Sequence, residues 1–192
     1  MATRNYEGVK FDDKTSKKIV DSLTIEEALQ ININNKPFTI TMRTPGEDVS
    51  LVRGLLHSEG IINDAKFLPD IVLKKENKKG IVTIVDVHIP EDKLGEGYLN
   101  SRSLLSVSSC GICGKTELGD LAFIGKTIDN NKKIEIGLID ELFNKMNAHQ
   151  HDFMESGGTH ASAAFSLEGN LLCSMEDIGR HNAVDKVVGK EE

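Results

Sequence analysis

Ser109-Cys110-Gly111-Ile112-Cys113-Gly114 sets two thiols three positions apart among glycines. Such a pair admits three chemistries. Structural zinc needs four ligands, usually from two such pairs or from a pair plus closely spaced histidines. The sequence has no second pair, and His149 and His151 stand two apart, so zinc would need a mixed set drawing on His160 or His181. Dithiol redox chemistry wants the pair where a strand feeds a helix, because the helix N-terminus lowers the thiol pKa. Here a serine-rich stretch precedes the pair and Gly111 and Gly114 flank it, a pattern of a loop rather than a helix start. The third chemistry is sulfur relay. A carrier cysteine must be nucleophilic as thiolate and must reach both a donor and an acceptor. Glycines remove bulk and widen the backbone's choices, and Lys115 stands where it would stabilise a thiolate or persulfide. Cys173, in Leu171-Leu172-Cys173, reads as a small core residue.

Two further segments are dense in groups that packing alone does not call for. Glu155-Ser156-Gly157-Gly158-Thr159-His160 pairs two glycines with a hydroxyl and an imidazole, a pattern that brings backbone N–H groups close to an anion or nucleotide. Glu176-Asp177-Ile178-Gly179-Arg180-His181-Asn182 adds a planar fork for phosphate at Arg180 and, at Asp177 or Glu176, an acceptor for a guanine edge or an amine. His160 and His181 are of the type that titrates near neutrality. The bland alternative for these groups is loop capping and internal ion pairing. Neither the Walker pattern nor the dinucleotide fingerprint is present.

Local periodicity supplies the elements that must hold these groups. Residues 1–18 are polar and lysine-rich, a frayed arm or an edge strand. Ile31 and Ile33, then Phe38, Ile40 and Met42, alternate with polar residues around Asn34-Asn35-Lys36-Pro37, which reads as a β-hairpin. Thr44-Pro45-Gly46 breaks the strand. Glu47 and Asp48 suit a helix first turn, Leu51, Val52, Leu55 and Leu56 share a helical face, and Gly60 closes the element. Ile71–Leu73 and Ile81–Ile89 predict two strands joined by the tip Lys74-Lys75-Glu76-Asn77-Lys78-Lys79-Gly80, a solvated turn. Pro90, Gly95, Gly97 and five serines between Ser101 and Ser109 predict a mobile connector. Beyond the cysteines, Leu138, Ile139, Leu142, Phe143 and Met146 predict an amphipathic helix. Ala161, Ala163, Phe165 and Leu167 predict a strand, Glu168-Gly169-Asn170 a turn, and Leu171–Met175 its partner. Asn182 is the expected cap of a last helix carrying Val184, Val187 and Val188. The expected organisation is a small N-terminal α+β part over 1–100, a mobile cysteine loop over 101–118 and a further α/β part over 119–192.

Composition bounds the rest. With 192 residues, 39% hydrophobic and 28% charged, the chain can bury a core without staples. A net charge of −7 and a pI of about 5.4 argue against a nucleic-acid surface. No apolar run approaches the ~20 residues of a membrane helix, and Met1–Lys18 lacks an apolar signal core, so a cytoplasmic setting is the default expectation. Three cysteines do not suit a disulfide framework. A homodimer is the default assembly, two-fold closure being the commonest.

Five motifs, in order, span the chain from about Val20 to Gly189: Met42-Arg43-Thr44-Pro45-Gly46; Gly54-Leu55-Leu56-His57-Ser58-Glu59-Gly60-Ile61-Ile62; the Cys110–Cys113 loop; Ser156-Gly157-Gly158-Thr159-His160-Ala161; and Glu176-Asp177-Ile178-Gly179-Arg180-His181-Asn182-Ala183-Val184-Asp185-Lys186. Together they resemble the formate dehydrogenase accessory sulfurtransferase family, FdhD. The resemblance implies a sulfur carrier that takes a persulfide from a cysteine desulfurase. It would pass the sulfur to the molybdenum cofactor of formate dehydrogenase, a bis-molybdopterin guanine dinucleotide bound as substrate, with no permanently bound metal. Cys110 would carry the persulfide and Cys113 would assist transfer. Gly157, Gly158, Thr159, His160, Asp177, Arg180, His181 and Asn182 would contact the cofactor. The implied fold joins an α+β N-terminal unit to a cytidine-deaminase-like α/β layer. Deamination itself is not expected: Thr159-His160-Ala161-Ser162 has serine where the deaminase glutamate would stand, and the cysteine pair precedes the histidine. Family members continue beyond the Arg-His-Asn motif, so the resemblance implies a C-terminally truncated layer with exposed strand edges and apolar surface. The rival reading is a non-catalytic chaperone for the guanine dinucleotide cofactor or for apo-formate dehydrogenase.

Overall fold

Turn residues in Asn34-Asn35 and a run of alternating apolar positions generate the central sheet. The computed structural model describes residues 2–64, 66–100 and 133–190. Strands β3 (Glu27–Ile33) and β4 (Lys36–Arg43) pair antiparallel across this turn. Asn34 and Asn35 take φ values of 50° and 64°, the left-handed pair that a two-residue hairpin requires. The Asn34 side chain also clamps the far end of the sheet, donating to the Ile89 carbonyl at 2.8 Å and accepting from its N–H at 2.9 Å.

Strands β5 (Asp70–Glu76) and β6 (Val82–His88) form the expected second hairpin, with Gly80 at φ 72° in the lysine-rich tip. β6 lies parallel to β3, giving the order β4-β3-β6-β5. Helix α1 (Asp48–Ser58) covers one face. Leu29, Ile31 and Ile33 of β3, Val85 and Val87 of β6, and Leu51, Val52 and Leu56 of α1 make the core with Ile61 and Ile62. Register decides which apolar residues join it. Gln30 opposes Ile40 and Ala28 opposes Met42, so Ile40 and Met42 point away from α1, 55% and 46% exposed, while Thr39 and Arg43 face inward.

Arg43 is fully buried, and each of its guanidinium nitrogens has an acceptor. Nε donates to Asp48 Oδ1 at 2.9 Å, Nη1 to the Glu27 carbonyl at 2.9 Å and Nη2 to the Val82 carbonyl at 2.8 Å. One side chain thus ties three strands to the first turn of α1, and this charge-assisted set offsets the cost of burying it. A short 3-10 turn (Glu91–Lys93) and helix α2 (Glu96–Asn100) follow, with Tyr98 stacked on Phe38 at 6.1 Å.

Of the two expectations for the N-terminal segment, a frayed arm or an edge strand, the structure shows strand. Strands β1 (Thr3–Asp12) and β2 (Thr15–Thr24) pair antiparallel over ten residues each, forming a two-stranded ribbon apart from the main sheet. Their polarity reflects exposure on both faces rather than lack of structure. The base of the ribbon is anchored by side chains: Ser22 Oγ donates to Glu155 at 3.1 Å, and Thr24 Oγ1 lies 2.7 Å from Ser156 Oγ.

The remaining described elements are helices α3 (Ile136–Asn147) and α4 (His151–Ser156), strands β7 (His160–Phe165) and β8 (Leu171–Asp177), and helix α5 (Arg180–Val188). The architecture is mixed α+β. β7 and β8 pair antiparallel around Gly169, at φ 80°, and Leu167 falls in that turn rather than in the strand. Cys173 is half-buried on β8, less enclosed than its apolar neighbours suggest. Helix α3 has the expected periodicity but no fully buried residue: Ile139 and Phe143 remain 43% and 57% exposed.

Helix α5 turns its polar face inward. Val184 and Val188 are about half exposed, while Asn182, Ala183, Asp185 and Lys186 are buried. Gly179, not Asn182, is the N-cap residue, and the helix begins at Arg180. The reason is electrostatic. The polar face of α5 meets buried acceptors on β8, β4 and the β4–α1 connection, and satisfying them outweighs covering Val184 and Val188.

Candidate functional site

Strand register brings the two polar segments together. His160 pairs with Asp177 and Ala161 with Glu176, so the 155–160 loop and the 176–182 loop lie side by side at one end of β7–β8. Glu176 fixes this arrangement. Its carboxylate accepts the Asp152 and Phe153 N–H groups at 2.9 and 2.8 Å and the Thr159 hydroxyl at 2.8 Å. A side chain from β8 therefore caps the N-terminus of α4, where negative charge is favoured. Burial, and then the Glu176 charge, push the neighbouring Asp152 carboxyl up.

Gly157 closes α4 with φ 66°, a left-handed position that favours glycine. Its N–H donates to the Phe153 carbonyl at 2.7 Å, and the Gly158 N–H donates to Ser156 Oγ at 3.2 Å. Both amide hydrogens are thus engaged within the loop. Gly158 also lies against Thr24, whose hydroxyl a Cβ would crowd. Thr159 is buried, whereas Gly157, Gly158 and His160 are exposed.

Asp177 is the polar centre beneath this surface. It is 0% exposed. Oδ1 accepts the Gly179 N–H at 2.8 Å and Asn182 Nδ2 at 3.0 Å; Oδ2 accepts the Thr44 N–H at 3.1 Å and lies 2.8 Å from Lys186 Nζ. Both oxygens are thus occupied by partners from three parts of the chain. Asn182 extends the link, donating to the Met42 carbonyl at 2.7 Å. Thr44 reciprocates by accepting the Ile178 N–H on its hydroxyl at 2.9 Å. Asp177 and Asn182 thus act here as builders of the joint between β4 and α5. Arg180 and His181, on the first turn of α5, are exposed. The outward groups of the cluster are therefore His160, Arg180 and His181, with the two glycines beside them. They suit an anionic, planar ligand, the arginine fork matching phosphate oxygens.

Two contributors carry roles that the sequence pattern did not disclose, Arg43 as a sheet clamp and the Ser58–Asp185 hydrogen bond at 2.6 Å, whereas Glu176 as a cap for α4 is the loop-capping alternative. Arg43, Ser58 and Asp185 lie in the motifs, but their partners are remote in sequence and no local spacing signals them. Cys110, Cys113 and Lys115, and the whole 101–118 loop, lie outside the described residues. Among the described residues no group of three or more His, Cys, Asp or Glu side chains is placed to hold a metal ion, and no helix is long and apolar enough to cross a membrane.

A family model, that of the FdhD/NarQ family, matches residues 24–191. This chain belongs to the FdhD/NarQ family. The sulfur carrier protein FdhD of Streptomyces avermitilis is 39% identical over 176 residues, covering 88% of this chain and 62% of that protein. The sulfur carrier protein FdhD of Sulfolobus acidocaldarius is 34% identical over 190 residues, covering 98% of this chain and 69% of that protein. A crystal structure from Desulfotalea psychrophila, described as that of a formate dehydrogenase accessory protein, superposes with a TM-score of 0.67 at 17% identity, over 98% of this chain and 67% of that one. That likeness shows a shared fold. The chain spans 62% of the length of its Streptomyces relatives. Within the FdhD/NarQ match fall the Thr44–Asp177–Lys186 joint and both polar loops.

Proposed function

We propose that this chain is a sulfur carrier. It takes persulfide sulfur from a cysteine desulfurase on Cys110 and delivers it to the molybdenum cofactor of formate dehydrogenase, with Cys113 assisting release. The observation that carries the reading is family membership over residues 24–191 together with the cysteine pair in the sequence. The curated relatives named sulfur carrier protein FdhD support it. In the loading step the Cys110 thiolate attacks the outer sulfur of the donor persulfide. A new S–S bond forms on Cys110, the donor S–S bond breaks, and the donor cysteine leaves as thiolate.

The substrate cofactor, bis-molybdopterin guanine dinucleotide, carries phosphates and a flat base. Arg180, His181 and His160, exposed on the two loops that strand register brings together, are the side chains that would meet it. Thr159 bonds Glu176, and Asp177 and Asn182 hold the start of α5.

The test is incubation with a cysteine desulfurase and cysteine, followed by intact and peptide mass spectrometry. One added sulfur on Cys110, lost in Cys110→Ala, is expected. No added sulfur on either Cys110 or Cys113 would sink the proposal. Full formate dehydrogenase maturation by Cys110→Ala would favour a cofactor or apoenzyme chaperone instead.

A further inference from the structure

Helices α1 and α5 cross at glycines. A Cβ on Gly54 would strike the backbone of Asp185, and one on Gly189 the carbonyl of Ser50. Inside this crossing Asp185 is only 9% exposed, and its Oδ1 accepts the Ser58 hydroxyl at 2.6 Å. Neighbouring Lys186 is turned to Asp177 on β8, at 2.8 Å. Glu176 on β8 is engaged with α4, and His160 on β7 is exposed and paired in register with Asp177. On α1, Arg53 lies beside Gly189 and His57 stands in the last turn; Glu59, just past the end of α1, opposes ionisation of Asp185, and His181, one turn earlier on α5, favours it. A hydroxyl is a weaker counterpart for a buried carboxylate than a cation is, so the ionised form is poorly accommodated.

We propose that Asp185 is a proton-dependent latch between α1 and α5. The crossing is closed when the carboxyl holds its proton, and α5 separates from α1 more readily when it does not. Burial pushes the Asp185 carboxyl up to about 6, against an ordinary value of 3.8. In the closed crossing the proton is therefore bound below neutrality, and opening releases it to water. Because α5 begins with Arg180 and His181, the latch sets how firmly those residues are presented. The proposal does not depend on what they bind.

Hydrogen exchange read by mass spectrometry tests it. After correction for the intrinsic pH dependence of exchange, the opening equilibrium for Arg180–Val188 is expected to be about tenfold larger at pH 7.5 than at pH 5. Asp185→Asn is expected to remove that rise. Equal protection of the wild type at both pH values, or a rise that persists in Asp185→Asn, would overturn the latch. Should Asp185→Asn not fold, Ser58→Ala decides. Losing the hydroxyl donor removes a bond that favours ionisation, so the transition must move to higher pH, and an unmoved transition overturns the proposal.

Discussion

Lys186 Nζ stands 2.8 Å from Asp177 Oδ2, with the two side chains 3% and 0% exposed. The same ammonium donates to the Thr44 carbonyl at 3.0 Å and the Glu176 carbonyl at 3.1 Å. The β4–α1 connection, remote in sequence, and the neighbouring β8 thus converge on one buried cation of α5. Replacing Lys186 by Met leaves the Asp177 carboxylate buried with its N–H donors but without a counter-charge. Unfolding in urea is expected to show a loss of about 3–5 kcal/mol. The double replacement Lys186→Met with Asp177→Asn should lose less than the sum of the single changes, because neither partner is then stranded. A single-change loss below ~1 kcal/mol would mean that the joint is held by other contacts.

The second prediction concerns backbone proximity. Gly54 packs against the main chain of Asp185, and no flexible side chain lies between them to yield. Gly54→Ala must therefore push α5 off α1. This substitution raises helix propensity and would stabilise an exposed helix by about 1 kcal/mol. Here the expected result is a destabilisation of ~1–3 kcal/mol from overpacking, measured as a lowered urea midpoint at unchanged slope. Stabilisation instead would show that the two helices do not meet at this distance.

These sites show how far the sequence was readable. The β3–β4 hairpin was legible because Asn34-Asn35 combines turn chemistry with flanking alternation, and α1 was legible from the spacing of Leu51, Val52, Leu55 and Leu56. The orientation of α5 was not. Its valines do not say which face turns inward, because the acceptors that draw Asn182 and Lys186 inward are the carbonyls of Met42 and Thr44, about 140 residues away. Periodicity measures the residue and not its distant partner. The same limit left Glu176 open, since its acidic side chain reads equally well as a ligand contact or as a cap. The ribbon β1–β2 was legible only as one of two alternatives, a frayed arm or an edge strand: with both faces exposed, its residues carry little of the alternation by which half-buried strands are recognised.

Arg180 separates binding from folding. It is exposed on the first turn of α5, beside the buried Asn182. Arg180→Ala is expected to change unfolding free energy by no more than ~0.5 kcal/mol, as for other surface changes. Titration calorimetry with a guanine nucleotide should show affinity falling by roughly tenfold to a hundredfold, the worth of a hydrogen bond to a charged group. Arg180→Lys should recover only part of it, since a point charge does not reproduce the planar fork. Unchanged affinity in Arg180→Ala would remove this face from the proposed cofactor site.

The last prediction is the pH dependence of global stability. The Asp185 carboxyl titrates at about 6 in the folded chain, against 3.8 ordinarily. Between these values the folded state binds more protons than the unfolded state, so this group's contribution to stability falls as pH rises from about 4 to 6 and stays low above that. The full difference corresponds to about 3 kcal/mol. Asp64 and Asp86 act in the opposite direction: their carboxyls are held below the ordinary value, Asp64 by the Lys66 N–H and Lys93, and Asp86 by Asn32 and Lys74. Their contribution is present above about pH 4 and is lost as pH falls through their lowered values. The two trends place maximal stability near pH 4, with a decline from there to about pH 6, and Asp185→Asn should remove that decline. Its amide oxygen still accepts from Ser58, so at pH 7 the variant is expected to be more stable than wild type, by up to about 3 kcal/mol. At pH 4 the two should nearly coincide. Guanidinium unfolding at both pH values measures the difference. A variant less stable than wild type at pH 7 would mean that the ionised carboxylate makes a compensating contact in solution.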